Sequence, residues 1–247
     1  MCVFINHRNW EVPDPDQPLW RYVDFTKFVD LLINRSLFFS RIDRFDDPFE
    51  GNPVSGFLES ARRRGDWRGI EEFYEQKKML KGLRKYSFVN SWHMNDYESV
   101  AMWNLYLQSD EGIAIRTTYR RLQDAFLDNR DVTAGVVKYV DFNEVEYSSD
   151  HLSDYLFLKR KSFEFENELR LFLLYDDIPD PEELKTIVRG PYEYGTNIGV
   201  DLSVLIESVY LSPTSPEWFE DLVRGLLAKF TDLDLPVCKS ELGKLPR

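Results

Sequence analysis

The sequence of 247 residues has little cysteine or histidine and no long apolar run. Cys2 and Cys238 lie near opposite ends, and His7, His93 and His151 are scattered, which excludes a disulfide framework and the usual zinc-site spacings. No stretch approaches the roughly 20 apolar residues that a membrane helix needs, and the N-terminus has no apolar signal core. We therefore expect a soluble, cytoplasmic protein without a membrane partner.

Several motifs of nucleotide-binding and hydrolytic enzymes are also missing. The sequence contains no GxGxxG, no GxxxxGK(S/T) and no GxSxG. A Rossmann-type dinucleotide site, a P-loop and a hydrolase nucleophile elbow are therefore excluded. Internal repeats and low-complexity segments are absent too.

The charge is predominantly negative. A formal net charge of −12 argues against general nucleic-acid binding, because affinity for phosphates requires clustered Lys and Arg. Within Arg62–Lys85, however, basic residues outnumber acidic ones. This segment is either a solvated helical face or a contact surface for an anionic partner, and the sequence leaves both readings open.

What the sequence does contain is a large core. It is 43% hydrophobic and 15% aromatic, and strand-like and helix-like segments alternate along it without long linkers. We predict an α+β fold with one mixed-sheet domain over residues 19–247. An extended N-terminal arm would cover residues 1–18, and a helical insertion would cover about 52–85.

The segment Leu19–Gly51 is central to this prediction. It reads as strand, helix, strand and charged turn. Arg21, between two aromatic residues on the first strand, either binds a phosphate or carboxylate ligand or forms a salt bridge with Asp47 or Glu50. Ser40, at the end of the second strand, is either a pocket residue or a turn residue.

The turn that follows contains Asp46, Asp47 and Glu50. Three carboxylates so close together could bind a metal or serve in catalysis. The alternative is structural, with the carboxylates capping neighbouring backbone groups and pairing with Arg41 or Arg44.

A second polar segment runs through Ser91, Trp92 and His93, which end a predicted strand. Asn95 is the predicted cap of the following helix, Val100–Leu107. Glu98 stands three positions after Asn95, which is the spacing of a capping box. A strand that ends at a helix N-terminus favours anion binding, and His93 is then either an acid or base or a structural residue.

The third segment is a row of charges. If Phe163–Leu174 is a strand, Glu164, Glu166, Glu168 and Arg170 share one face, although a helix is possible for its first half. Three like charges repel one another unless a cation or a proton lies among them. The row either belongs to an exposed edge or supplies a carboxylate that holds a sugar hydroxyl and stabilises an oxocarbenium ion.

Several stretches resemble a bacterial family, the domain of unknown function 2971. Its members are associated with abortive infection and phage defence, so the resemblance implies a toxin-like or immune role. The resemblance spans about Leu19 to Ser240. It is carried by LWRYVDFTKFVDLL, LFFSRIDRFDDPFEG, VNSWHMNDYESVAMWNLY, EGIAIRTTYRRL, VKYVDF, KRKSFEFENELR and IGVDLSVLIESVYLSP.

The order of Arg21, Ser40 and a late Glu-x-Glu is also similar to the Arg-Ser-Glu pattern of ADP-ribosyltransferases. This implies an ADP-ribosyltransferase-like fold and NAD as substrate, with no metal. Arg21 would hold the phosphates or ribose, Ser40 would support the pocket, and Glu168 or Glu166 would bind the ribose 2′-hydroxyl. The expected NAD-binding residues are Arg21, Tyr22, Phe39, Ser40, Arg41, Trp92 and His93.

Three functions therefore remain open. The first is an NAD-dependent transferase or NAD glycohydrolase. The second is a metal-dependent nuclease that uses the acidic turn and the glutamate row, with Arg62–Lys85 on nucleic acid. The third is a non-enzymatic sensor or interaction module of a defence system. A homo-oligomer is compatible with each.

Overall fold

Strands and helices alternate along the chain in the computed structural model, which describes residues 4–6, 9–106, 109–149, 151–231 and 235–243. The strands are β1 (Phe4–Asn6), β2 (Pro18–Asp24), β3 (Ser36–Arg41), β4 (Ser87–Met94), β5 (Gly112–Thr118), β6 (Val132–Val136), β7 (Lys138–Val140), β8 (Leu158–Arg160), β9 (Glu168–Leu174), β10 (Gly195–Gly199), β11 (Ser208–Leu211) and β12 (Val237–Lys239). The helices are α1 (Phe25–Asn34), α2 (Ser55–Arg64), α3 (Trp67–Leu83), α4 (Val100–Tyr106), α5 (Tyr119–Asp124), α6 (Pro181–Thr186), α7 (Leu202–Leu205) and α8 (Glu217–Phe230).

Ten of these strands form one large mixed sheet. Its main path is β1-β6-β9-β4-β2-β5-β11-β12, and β3 joins β4 beside β2 and carries β10 on its other edge. Most pairs are antiparallel, while β1 with β6 and β11 with β12 are parallel. The sheet thus confirms an α+β, mixed-sheet architecture.

The sheet divides along one edge of β4. This strand pairs with β9 from Ser87 to His93 on one side. On its other side, the beginning of β4 pairs with β3 and its end pairs with β2. The residues between these two pairings, Asn90–Trp92, have no strand neighbour on that side, so β2 and β3 diverge and open a space between them.

Helix α1 connects β2 to β3 and lies beside this division. The side chain of Asp24 accepts a hydrogen bond from the backbone N of Lys27 at 2.8 Å and so caps the first turn. Phe28, Leu31 and Leu32 recur at helical spacing and are buried in the main core. The predicted strand, helix and strand are therefore present, and the apolar face of α1 packs against the main core.

The glutamate segment differs from the predicted strand. Residues Lys161–Glu166 form a 3-10 helix, and β9 begins only at Glu168. Asn167 separates the two with a φ of 38°, a left-handed conformation that Asn tolerates better than most residues. The alternation of Phe and Glu is therefore not strand periodicity, and Glu164 is exposed, away from the row.

The predicted capping box before α4 is wrong. The side chain of Ser99, not that of Asn95, accepts a hydrogen bond from the backbone N of Met102, at 3.3 Å. Glu98 instead accepts a hydrogen bond from Trp103 Nε1 at 3.0 Å. A serine one residue before the helix is a better cap because its hydroxyl reaches the first free amides.

The predicted N-terminal arm and helical insertion can be compared with the described residues. Within the expected arm, β1 pairs with β6 at the edge of the sheet. Helices α2 and α3 lie within the predicted insertion. Cys2, His7 and Leu107 lie outside the described residues. No helix in the described ranges is long and apolar enough to cross a membrane.

Candidate functional site

A cavity of about 560 Å³ occupies the division between β2 and β3, and we call it the split-sheet cavity. Residues of strands β2, β3 and β4 and of helices α1 and α4 line it, together with Glu166 and Glu168. Of the predicted site residues, it brings together Arg21, Tyr22, Ser40, Trp92, His93, Glu166 and Glu168.

Two cationic residues of the described chain line the cavity, Arg21 and the exposed Lys27, and Lys27 pairs with Asp24 at 2.8 Å. The Nη1 of Arg21 donates to the backbone carbonyl of Ser91 at 2.8 Å, and its guanidinium lies 5.8 Å from the ring centroid of Trp92. Among the described residues, no carboxylate forms an ion pair with Arg21. Burial lowers the pKa of Arg21 to about 10, so the guanidinium remains charged at neutral pH without a counter-ion.

The salt bridge that the sequence offered as the alternative for Arg21 does not form, because both carboxylates have other partners. Asp47 pairs with Arg160 at 3.0 Å. Glu50 is almost fully buried and pairs with Lys159 at 2.9 Å and with Arg170 at 3.0 Å. Arg21 is thereby left available to a ligand.

The acidic turn does not form a metal centre in the part of the chain that the structure describes. No group of three His, Cys, Asp or Glu side chains there is arranged to hold an ion. Asp46 is exposed, whereas Asp47 and Glu50 face cations. The turn instead supplies the buried counter-charge for Lys159 and Arg170.

Glu168 is a fully engaged carboxylate. Its Oε1 accepts from Ser91 Oγ at 2.5 Å and from Arg170 Nε at 2.6 Å, and its Oε2 accepts from Arg170 Nη2 at 3.0 Å. Burial alone would raise the pKa of Glu168, but the charges of Arg170 and Lys159 outweigh burial and lower it to about 2. Glu168 is therefore ionised, and its oxygens are largely occupied.

Glu166 is engaged on one side only. Its Oε2 lies 2.5 Å from Lys159 Nζ, and no described residue donates to its Oε1. Burial raises the pKa of Glu166, and Lys159 opposes that rise. In the described ranges, three carboxylates line the cavity, the exposed Asp30 and the buried Glu166 and Glu168. Of the two buried ones, Glu166 has an oxygen that a ligand can reach.

His93 also lines the cavity. Its Nδ1 is 2.6 Å from the carbonyl of Glu166, which fixes the proton on Nδ1, and burial lowers the pKa of the ring. In the described part of the chain, Nε2 is buried and has no hydrogen-bond partner. A neutral His93 therefore offers Nε2 as an acceptor.

The aromatic wall differs in part from the prediction. Phe38, not Phe39, lines the cavity, since successive residues of β3 point to opposite faces. Phe39 is completely buried in the core. Arg41 lies outside the cavity, where its guanidinium contacts Asp43 at 2.6 Å.

The division itself is stabilised by side chains that replace missing strand contacts. Asn90 Nδ2 donates to the carbonyl of Phe38 at 2.9 Å, and Trp92 Nε1 donates to Asn90 Oδ1 at 2.8 Å. The bond from Asn90 and the bond from Arg21 to Ser91 satisfy two backbone carbonyls at the division, those of Phe38 and Ser91, and the bond from Trp92 holds the Asn90 side chain in place. The cavity is thus preformed.

Sequence reasoning missed Lys159, Asn90, Tyr106 and Phe38. For Lys159 a signal existed, because three neighbouring glutamates require a cation. The others depend on which strands are neighbours, which local sequence does not reveal.

The basic segment Arg62–Lys85 is partly neutralised within the protein. Arg62 pairs with Glu59 at 2.7 Å, and Lys78 pairs with Glu75 at 2.9 Å. Contact with an anionic partner stays a prediction.

Comparison with known proteins gives one similarity. No protein-family model matches the chain, and no curated protein matches it. Membership of the domain of unknown function 2971 family therefore stays a prediction. Among solved structures, the chain is similar to DarT of Thermus sp. 2.9 in complex with carba-NAD+, at 10% identity and a TM-score of 0.38 over 93% of this chain and 97% of that chain. A likeness this distant leaves the functional argument to the cavity.

Proposed function

We propose that the protein cleaves NAD between nicotinamide and ribose in the split-sheet cavity, and passes ADP-ribose to an acceptor or to water. One observation carries this proposal. Within the described residues, Arg21 has no carboxylate counter-ion and Glu166 has one oxygen without a donor, and both line the same cavity. NAD carries a diphosphate that suits the first group and develops positive charge near a ribose hydroxyl that suits the second.

The reaction needs little from the protein beyond orientation and charge. The bond from ribose C1′ to the pyridinium nitrogen breaks, its electron pair stays on that nitrogen, and neutral nicotinamide leaves. Water or an acceptor hydroxyl then adds to C1′ and releases a proton. A carboxylate beside the oxocarbenium-like transition state stabilises its positive charge and accepts a hydrogen bond from the 2′-hydroxyl.

The two glutamates have separate tasks in this proposal. Glu166 faces the ribose, because its Oε1 is not occupied by another described residue. Glu168 holds Ser91 and Arg170 in place. Tyr22, Trp92 and Phe38 supply apolar ring surface for the nicotinamide.

The test is nicotinamide release from NAD, measured by mass spectrometry. We expect release by the wild-type protein and a loss of at least about 100-fold for Glu166→Gln, since one electrostatic catalytic group contributes on this scale. Glu164→Gln is the matched control, because Glu164 is exposed in the same 3-10 helix. Equal activity of all three proteins would refute the role of Glu166, and no release by any of them would refute the function.

The same assay with cell extract identifies the acceptor class. Free ADP-ribose indicates hydrolysis, and a mass increase on a macromolecule indicates transfer. A toxin-like role in phage defence predicts that cells expressing the wild-type protein stop growing and that cells expressing Glu166→Gln do not.

One observation favours a second candidate, a nucleotide-binding module without turnover. The complete pairing of Glu168 is what a structural ion network also requires. ADP-ribose binding with no nicotinamide release would support this candidate.

A further inference from the structure

We propose that Lys159 is a positioning residue, whose ammonium keeps Glu166 in its charged form and turns one carboxylate oxygen toward the split-sheet cavity. This inference rests on the proposed function, because it specifies how the reacting carboxylate is prepared. Lys159 itself belongs to β8, outside the ten-stranded sheet, and acts through Glu166.

The geometry gives Lys159 three carboxylate partners. Its Nζ lies 2.5 Å from Glu166, 2.9 Å from Glu50 and 3.5 Å from Glu168. An ammonium has three donors and no acceptor, so each proton has one carboxylate to face. The side chain is 8% exposed, so water provides little substitute for these contacts.

The partners of the three carboxylates are not equivalent. Glu50 and Glu168 both pair with Arg170 as well as with Lys159. In the described part of the chain, Glu166 pairs with Lys159 alone. Loss of Lys159 would therefore leave Glu50 and Glu168 with a cation and Glu166 with none. A buried carboxylate without a cation takes up a proton.

Other titratable groups also face Glu166, and together they determine whether its pKa rises or falls when Lys159 is removed. His93 contacts its carbonyl, Tyr106 and Tyr139 lie within electrostatic range, and Glu168 and Glu50 repel its charge. Burial, the strongest influence, raises the pKa of Glu166, as do Glu168 and Glu50, whereas Lys159 lowers it. The remaining cation, Arg170, is occupied by Glu168 and Glu50. Removing Lys159 must therefore raise the pKa.

The experiment measures kcat and KM for nicotinamide release across pH 4–9 for three variants. Lys159→Met removes the charge, Lys159→Arg keeps it, and Lys161→Met is the control, because Lys161 is exposed in the adjoining 3-10 helix. For Lys159→Met we expect the acid limb of kcat to move up by at least about one pH unit, the scale of losing one close charge partner. At pH values below the wild-type acid limb, kcat should be at least about tenfold lower than that of the wild type, and it should recover at high pH, while KM changes by less than about threefold. Lys159→Arg and Lys161→Met should keep the wild-type profile.

An unshifted acid limb for folded Lys159→Met would overturn the proposal. Because that variant could fail to fold, the carboxyl resonance of Glu166 is also titrated in the wild-type protein by carbon-13 NMR, with Glu166→Gln for assignment. The proposal requires an ionised Glu166 at pH 7, and a protonated one would overturn it. This titration does not depend on turnover, so failure of the proposed function and failure of this inference are distinguishable.

Discussion

Replacing Arg21 with methionine should weaken ligand binding without weakening the fold. Methionine keeps an unbranched side chain of similar length and removes the charge. Burial lowers the pKa of Arg21 from 12.5 to about 10, and a displacement of that size corresponds to about 3 kcal/mol against the charged form, less where cavity water reaches the side chain. The lost hydrogen bond to Ser91 is worth only about 1 kcal/mol. The free energy of unfolding should therefore stay constant or rise by about 1–2 kcal/mol.

The affinity for ADP-ribose, in contrast, should fall when Arg21 is replaced by methionine. A charge-assisted bond from Arg21 to a phosphate is worth about 1.5–3 kcal/mol, which corresponds to about 10- to 150-fold in Kd. Titration calorimetry with ADP-ribose measures the change in Kd. Urea unfolding measures the change in the free energy of unfolding. Arg116→Met is the matched control, since Arg116 is also on a sheet strand beside a Trp ring but pairs with Glu207 at 2.9 Å. A variant of Arg21 that loses more than about 2 kcal/mol of stability yet binds ADP-ribose normally would refute the reasoning.

Three further predictions concern β3, the buried ion pairs of Glu168, and two glycines with positive φ. Phe39→Ala should cost about 3–5 kcal/mol of unfolding free energy because its ring is completely buried, whereas Phe38→Ala should cost less than about 1 kcal/mol and mainly weaken ADP-ribose binding. The pKa of Glu168 is held near 2, below its unfolded value, so its stabilisation is present above about pH 4.3 and is lost as pH falls toward 2. Urea unfolding between pH 2.5 and 6 should show this loss, on the order of 3 kcal/mol, in the wild-type protein and not in Glu168→Gln. Gly51 and Gly65 both have a φ of 66°, but only at Gly51 would a Cβ meet a neighbour within 3 Å, so Gly51→Ala should lose about 1 kcal/mol more than Gly65→Ala in thermal unfolding.

Local signals in the sequence were sufficient to predict β2, α1 and β3, which carry Arg21 and Ser40. The strand, helix and strand of Leu19–Gly51 follow from apolar spacing and from the cap at Asp24, and both appear in the structure. The period of two along a strand also places Glu168 and Arg170 on one face, where they pair at 2.6 Å. These features depend on residues close together in the chain.

The remaining features depend on contacts between distant residues. The division of the sheet arises because β4 takes two different neighbours on one edge, which local periodicity does not encode. The alternating Phe-Glu segment looks like a strand, but Asn167 in a left-handed conformation separates a 3-10 helix from β9. Whether Phe38 or Phe39 faces the cavity depends on which side of β3 the core covers.

The central claim is that the split-sheet cavity binds NAD with the phosphates at Arg21 and the nicotinamide ribose at Glu166. The most direct measurement is a structure of the protein with a non-cleavable NAD analogue. We predict a phosphate oxygen within hydrogen-bond distance of the Arg21 guanidinium and the ribose 2′-hydroxyl within hydrogen-bond distance of Glu166 Oε1. An analogue bound elsewhere, or a cavity that stays empty at millimolar analogue, would contradict the account.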